Sequence, residues 1–225
     1  NKVKFDEMRI AQEQIAKVKD TIGDRFPYML IMDRGYPSTP AFLNFIDTGV
    51  YFVARLKSRD YKAEQSALKS SDEDVEIALT KARRRNYIGR PEETVMMSRD
   101  AFHLRFVTVT LEDGISEVLA TNLPREEFPQ ECFQEIYHMR WGIETAYQVL
   151  KDRLKIENFT GTKPTLLEQD INSTIYVSNL AEDIICDIEE QNSEHLKRDY
   201  KHVMQLNRNI SIGILKNDLM DIPIQ

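Results

Sequence analysis

Four side chains suited to acid, hydrogen-bonding and phosphate chemistry occur at helical spacing within residues 130–155, namely Tyr137, Arg140, Glu144 and Lys151. On a single helix that turns about 100° per residue, all four lie within about 60° of one another. A carboxylate, two cations and a phenol on one face could bind a metal ion and nearby phosphates. The alternative is a solvated helix face on which Arg140 and Glu144 form an ordinary surface pair.

The same four residues resemble the Y-R-E-K signature of a large group of bacterial insertion-sequence transposases that have an RNase H-like catalytic fold. The stretch Arg140-Trp-Gly-Ile-Glu144 is similar to the R-W-x-I-E core of that group. The Asp-Arg-Gly-Tyr segment that begins at Asp33 resembles the surroundings of the group's second catalytic aspartate. Further similarity lies in the segments 158–161, 168–170 and 178–180. The resemblance therefore covers most of the chain and implies a DDE-type transposase.

This resemblance implies metal-dependent cleavage of DNA strands, followed by transfer of the freed end to a target. Such chemistry uses clustered carboxylates that hold two Mg²⁺ ions about 3.5–4 Å apart. We therefore expect Asp33 and Glu144 to be catalytic residues that approach one another and bind Mg²⁺ or Mn²⁺. Tyr137, Arg140 and Lys151 are predicted to contact DNA phosphates beside that site.

The resemblance also implies a first catalytic aspartate on a strand upstream of the second. The aspartates that precede Asp33 are Asp6, Asp20 and Asp24, and none falls in a predicted strand. We therefore expect the first aspartate to lie upstream of Asn1, and this stretch to be inactive by itself.

A second candidate for DNA contact is the strongest basic cluster of the chain, which comprises Lys81, Arg83, Arg84, Arg85 and Arg90. We predict that Arg83, Arg84 and Arg85 contact the DNA backbone, because phosphate contacts dominate affinity without reading the base sequence. The alternative is an exposed loop whose charge is balanced by the acidic residues 72–74. The formal net charge of −7 excludes a uniformly basic surface, so any DNA contact must be local.

Helices and strands must position these side chains. Residues 5–22 and 40–48 are predicted helices, the second with Ser38 as its N-cap, and 28–33 and 51–57 are predicted strands. This order predicts one right-handed crossover in a parallel region of sheet. Further β-like runs are 75–79, 94–98, 102–111 and 115–121, and long helices are predicted at 130–155 and about 164–190.

The predicted fold class is therefore α/β, an incomplete RNase H-like fold with a β-rich insertion and long C-terminal helices. The predicted division assigns 1–57 to the first part of the core and 58–125 to the insertion. Residues 126–225 then form the second part of the core with the C-terminal helices.

Cysteine content and hydropathy restrict the class of protein further. Cys132 and Cys186 have neither zinc-site spacing nor the density of a disulfide scaffold, and no apolar run reaches the roughly 20 residues that span a bilayer. We expect a cytoplasmic, nucleoid-associated protein without a membrane partner. The resemblance implies that it acts as a homodimer on double-stranded DNA, at transposon ends and target.

Three alternatives remain open at this stage. A non-catalytic DNA-binding remnant of a transposase would lack the chemistry. An RNase H-like nuclease would share the carboxylates without the Y-R-E-K pattern. A purely structural protein would hold Asp33 far from Glu144.

Overall fold

The computed structural model describes residues 7–22, 26–111, 114–192 and 206–218. The chain divides into two compact units, Asn1–Arg140 and Trp141–Gln225. The strands of the first unit are β1 (Met29–Met32), β2 (Tyr51–Arg55), β3 (Asp72–Ala78), β4 (Ala101–Thr110) and β5 (Ser116–Thr121). Its helices are α1 (Glu7–Ile22), α2 (Thr39–Thr48), α3 (Lys62–Ala67), α4 (Lys81–Arg85), α5 (Glu93–Met97) and α6 (Phe133–His138).

The five strands form one mixed sheet in the order β1-β2-β5-β4-β3. Strand β1 pairs with β2 in parallel, and the other neighbours are antiparallel. The predicted α/β class and the parallel pairing of the first two strands are thus confirmed. The strands of the segment 58–125 continue the same sheet, because β5 pairs directly with β2.

Helix α2 anchors β2, and its ends follow from local sequence signals. The Ser38 hydroxyl accepts a hydrogen bond from the Ala41 amide, and Gly49 ends the helix with a φ of 68°. A residue without a side chain adopts this left-handed conformation at least cost. The Phe42 ring stacks on Phe52 of β2 with centroids 4.9 Å apart, so the helix holds the strand by aromatic packing.

Both faces of the sheet are buried. One apolar cluster combines α2 with residues such as Phe52 and Phe106, and a second combines Val107 with Phe133 and Ile136 of α6. Burial on both faces of a sheet favours near-continuous apolar strands, and residues 104–107 of β4 are all buried, with Arg105 as the one charged residue among them.

Two secondary-structure predictions are wrong. Residues 94–98 were expected as a strand, but α5 covers Glu93–Met97, because a short apolar run has no diagnostic period. The single helix expected at 130–155 is interrupted. It consists of a 3₁₀ turn at Gln130–Cys132, helix α6, and then α7 (Trp141–Gln148) with a π-helical turn at Val149–Arg153.

The second unit contains α7, the π-helical turn, α8 (Pro164–Gln191) and α9 (Arg208–Asp218). Helix α8 confirms the predicted helix at about 164–190. Its buried residues are Ala181 and Ile185, and Arg208 of α9 pairs with Glu182 at 3.2 Å. In the described part of the chain, no helix combines the length and apolar character that a membrane crossing requires. Asp6 and Asp24 lie outside the described residues.

Candidate active site

Asp33 lies at the carboxyl end of the parallel pair of strands. Met32 is opposite Ala54 in the register, which places the next residues, Asp33 and Arg55, side by side on neighbouring strands. The chain turns away after Asp33, whose carbonyl oxygen accepts a hydrogen bond from the Tyr36 amide at 3.1 Å. Carboxyl ends of parallel strands are where α/β sheets commonly bind ligands.

Arg55 is held by a carboxylate from the adjacent strand. Its Nε donates to Glu117 Oε2 at 2.6 Å, and its Nη2 donates to Glu117 Oε1. The two side chains are only 16% and 13% exposed, so this bidentate pair is largely shielded from water. The pKa of Arg55 is raised, first by its hydrogen bonds to Glu117, so the guanidinium stays charged.

Tyr137 lies on α6, and its side chain extends to Asp33 at the end of the parallel strands. It is 2% exposed, because the neighbouring Phe133 and Ile136 pack α6 against the sheet. Its hydroxyl donates to Asp33 Oδ1 over a long 3.4 Å. Burial raises the pKa of Tyr137, so the phenol stays protonated at neutral pH.

Arg140 completes this group of side chains in the first unit. Its guanidinium carbon lies 5.7 Å from the centroid of the Tyr137 ring, within the range of a cation–π contact. Asp33, Tyr137 and Arg140, all predicted from the sequence, are therefore brought together. Tyr137 directs its hydroxyl to Asp33, and its predicted contact with DNA stays a prediction.

The other two predicted residues, Glu144 and Lys151, belong to the second unit. Both are exposed, Glu144 on α7 and Lys151 in the π-helical turn, where Lys151 pairs with Glu157 at 3.2 Å. The single helix on which the four residues were predicted to share one stripe is interrupted. The α-helical period is broken at residues 139 and 140, where the Arg140 amide bonds three residues back to Tyr137, and it is broken again by the π-helical turn.

The basic cluster divides into enclosed and exposed members. Arg83 donates to Glu64 Oε1 and to the Ala78 carbonyl oxygen, each at 2.7 Å, and Arg84 donates to the Arg99 carbonyl oxygen at 2.6 Å. Arg85 is exposed on the same short helix. The predicted DNA contacts of Arg83 and Arg84 would compete with bonds inside the protein, whereas Arg85 already faces solvent.

Arg55 and Glu117 were not singled out from the sequence. Arg55 falls in the apolar run Tyr51-Phe-Val-Ala-Arg-Leu-Lys57, and a charged residue inside a strand expected to be buried is a signal that could have identified it. Glu117 lies 62 residues further along and has no comparable signal.

The oxygen chemistry of Asp33 fits a divalent cation. Its carboxylate is partly exposed at the strand end, and Tyr137 engages one of its two oxygens. Mg²⁺ prefers such hard oxygen ligands and retains several waters. Among residues 7–22, 26–111, 114–192 and 206–218, no three His, Cys, Asp or Glu side chains cluster as a metal site. Asp33 is thus suited to supply one ligand of a larger set.

Comparison with known proteins adds an independent finding. Residues 8–180 match the family described as "Transposase DDE domain". A 76-residue segment is 33% identical to the putative transposase InsL for insertion sequence element IS186A of Escherichia coli (strain K12). The transposase for insertion sequence element IS421 of Escherichia coli matches to the same extent. The aligned segment covers 34% of this chain and 20% of each of these relatives.

Proposed function

Because the chain belongs to the family of proteins with a transposase DDE domain, we propose that it forms part of an active site that cuts and joins DNA strands during transposition of an insertion sequence. The observation that carries the proposal is the grouping of Asp33, Tyr137, Arg55 and Arg140 at one end of the parallel strands. An acidic oxygen ligand beside two fixed guanidinium groups suits a metal-bound phosphodiester.

Asp33 and Glu144 are the proposed ligands of Mg²⁺ or Mn²⁺. When bound, the ion would activate the attacking oxygen and stabilise the leaving oxygen of the phosphodiester. The protein's own part is to hold Asp33 rigidly at the end of a paired strand and to supply Glu144 from a helix. Tyr137 restrains the Asp33 carboxylate by donating a hydrogen bond to Oδ1.

Arg140 and Lys151 are the proposed phosphate contacts beside the metal. Arg140 offers a planar fork of donors, and Lys151 a mobile point charge. The ion pair of Lys151 with Glu157 is exposed at both side chains, 59% and 70%, so little energy opposes its exchange for a phosphate. Arg83, Arg84 and Arg85 are proposed as a second contact with the DNA backbone.

The finer architecture and the partners are also proposals. An RNase H-like arrangement is supported by a mixed sheet with a carboxylate at the end of a parallel strand. Double-stranded DNA, as transposon ends and target, is the proposed partner of a homodimer.

The experiment that tests the function is strand cleavage by the full-length protein on DNA that carries a transposon end. With Mg²⁺ or Mn²⁺ present, Asp33→Asn and Glu144→Gln should each lower the rate of cleavage about a thousandfold, because each removes a ligand that stabilises charge in the transition state. Binding of Mn²⁺, followed by electron paramagnetic resonance, should weaken in both variants.

Asp74→Asn is the matched control, since Asp74 lies on the same sheet with a 60% exposed side chain that pairs with Arg125. It should retain cleavage and Mn²⁺ binding. Full cleavage by Asp33→Asn would refute the proposed function, whereas full cleavage by Glu144→Gln alone would remove Glu144 from the proposed metal ligands.

A further inference from the structure

Two segments of the second unit that resemble the transposase group, 158–161 and 168–170, bond to one another. The Thr160 amide donates to Asp170 Oδ2 at 2.7 Å, and the Thr160 hydroxyl donates to Oδ1 and Oδ2 at 3.1 and 2.9 Å. Hydrogen bonds to an ionised carboxylate are stronger than those between neutral groups. Asp170, which lies on α8, therefore fixes both the main chain and the side chain of Thr160.

The residue after Thr160 brings the same stretch of chain close to α8. A Cβ atom added to Gly161 would lie 2.5 Å from Leu166 Cδ1, so the absence of a side chain at this position lets the chain lie against Leu166. Residues 154–163, which we call the connecting loop, are thus attached to α8 at two successive positions.

The other end of the connecting loop closes the π-helical turn. The Leu154 amide donates to the Val149 carbonyl oxygen at 3.1 Å, and the Ile156 amide donates to the Leu150 carbonyl oxygen at 3.0 Å. Between these two amides, Lys155 has a φ of 55°, a left-handed conformation that a residue with a side chain keeps only when the surrounding structure imposes it. The attachment of the loop to α8 supplies such a constraint.

Lys151, a proposed phosphate contact, lies in the middle of this π-helical turn. Because hydrogen bonds in a π-helix reach five residues back instead of four, the turn decides where Lys151 points relative to Glu144 on α7. The Lys151 ammonium is also paired at 3.2 Å with Glu157, which belongs to the connecting loop. The main chain and the side chain of Lys151 therefore both depend on the position of this loop.

We infer that Asp170 is a positioning residue, which holds the connecting loop through Thr160 and so fixes the π-helical turn that directs Lys151 toward a DNA phosphate. The inference rests on the proposed function, in which Lys151 is a phosphate contact. It assigns Asp170 and Thr160 no contact with DNA or with the reacting atoms.

Hydrogen–deuterium exchange of the full-length protein tests the arrangement without DNA. Asp170→Ala should accelerate exchange of the Leu154 and Ile156 amides about tenfold, because the loop that closes the turn loses its attachment. The matched control is Asp183→Ala, since Asp183 is an exposed aspartate of the same helix, and it should leave both amides unchanged. Thr160→Ser retains the hydroxyl and should preserve the slow exchange of the wild type.

DNA binding tests the consequence, and its direction separates positioning from a simple effect of charge. Removal of a negative charge should by itself leave DNA binding unchanged or stronger, which is the result expected for Asp183→Ala. Asp170→Ala and Lys151→Ala should instead each weaken binding of transposon-end DNA about three- to fivefold. Each should also reduce the slope of the logarithm of affinity against the logarithm of salt concentration by about 1. Because Asp170 acts through Lys151, the double variant should bind no more weakly than Lys151→Ala.

Other outcomes would overturn the inference. Unchanged exchange of the two amides in Asp170→Ala, or losses of affinity that multiply in the double variant, would show that Asp170 does not act through the turn. A wild-type salt slope in Asp170→Ala beside a reduced slope in Lys151→Ala would overturn the inference alone. An unchanged slope in Lys151→Ala would remove the proposed phosphate contact as well. Thr160→Val, which loses only the hydroxyl bonds, repeats both tests if Asp170→Ala does not fold, and Asp33→Asn tests strand cleavage separately.

Discussion

Two shielded arginine pairs lie two strands apart in the same sheet and differ in what else each arginine touches. Arg105 on β4 donates from Nε and Nη2 to both carboxylate oxygens of Asp72, at 2.8 and 2.6 Å. Its remaining nitrogen, Nη1, donates to the carbonyl oxygens of Leu123 and Phe128, at 3.4 and 2.8 Å. Arg55 makes the same bidentate bond to Glu117, and it lies beside Asp33 at the end of the parallel strands.

The difference lies in the surroundings of the two arginines. Arg105 is enclosed by Asp72, two main-chain carbonyls and the Phe133 ring, whose centroid lies 4.9 Å from its guanidinium carbon. Every one of these groups belongs to the first unit, and the pair ties β4 to β3 and to the segment after β5. Arg55 instead lies beside the partly exposed Asp33. Burial and pairing alone therefore do not distinguish the two arginines, and their other neighbours do.

The largest effect on stability is expected at Arg105. Arg105→Ala leaves Asp72 with the more exposed Arg125 and removes the donor to the carbonyl oxygens of Leu123 and Phe128, which should lower the free energy of unfolding of the first unit by about 3–5 kcal/mol. Arg55→Ala removes the partner of Glu117 alone and should cost about 2 kcal/mol. Hydrogen–deuterium exchange of the sheet amides measures both. An equal or larger loss for Arg55→Ala would erase the distinction between the two pairs.

A smaller loss of folding stability is expected at low pH. Arg105 and then Arg125 lower the pKa of Asp72 to about 2, so the ionised carboxylate stabilises the folded state above its unfolded pKa, near 4. This stability should be lost as the pH falls from about 4 to about 2. The expected size is about 1–2 kcal/mol, because part of the interaction is screened by solvent.

The measurement is the melting temperature of the wild type and of Asp72→Asn between pH 2 and pH 5. Asp72→Asn should be less stable at pH 5, and the gap should narrow as the pH falls. A gap that stays constant would show that ionised Asp72 does not support the Arg105 pair.

The smallest effect extends the comparison to helix α4. Arg83 lies 5.3 Å from the Tyr61 ring centroid and bonds Glu64 and the Ala78 carbonyl, so Arg83→Ala should lower stability by about 1 kcal/mol. Arg85 is exposed, and Arg85→Ala should leave stability unchanged. If the proposed DNA contact is right, Arg85→Ala reduces the slope of the logarithm of DNA affinity against the logarithm of salt concentration by about 1. Thermal melts and binding at several salt concentrations separate the two residues, and reversed effects would contradict their assignment.

Much of the architecture followed from local patterns. The caps of α2, Ser38 and Gly49, are short-range signals, because a side chain or a left-handed turn satisfies nearby backbone groups. The apolar runs that became β1 and β2 were recognisable because burial on both faces demands continuous hydrophobicity. Asp33, Tyr137 and Arg140 of the site were identified by resemblance to the sequence motifs of a known family.

Local sequence patterns gave wrong predictions where one pattern is compatible with two kinds of backbone structure. The short apolar run of Val95, Met96 and Met97 fits either a strand or one helical turn, and packing of Met96 into the core accompanies the helix. Similarly, the helical period through 130–155 carried no sign of the interruption at residues 139 and 140, because helical spacing in the sequence persists across a tightened turn.

The sequence by itself determined the family, the mixed α/β class and the carboxylate at the end of the first strand. Only the tertiary structure decided which side chains surround that carboxylate. Arg55 and Glu117 are 62 residues apart and meet because the register of β2 against β5 sets them on one face of the sheet. Strand register depends on the packing of whole faces, and no spacing along the chain records it.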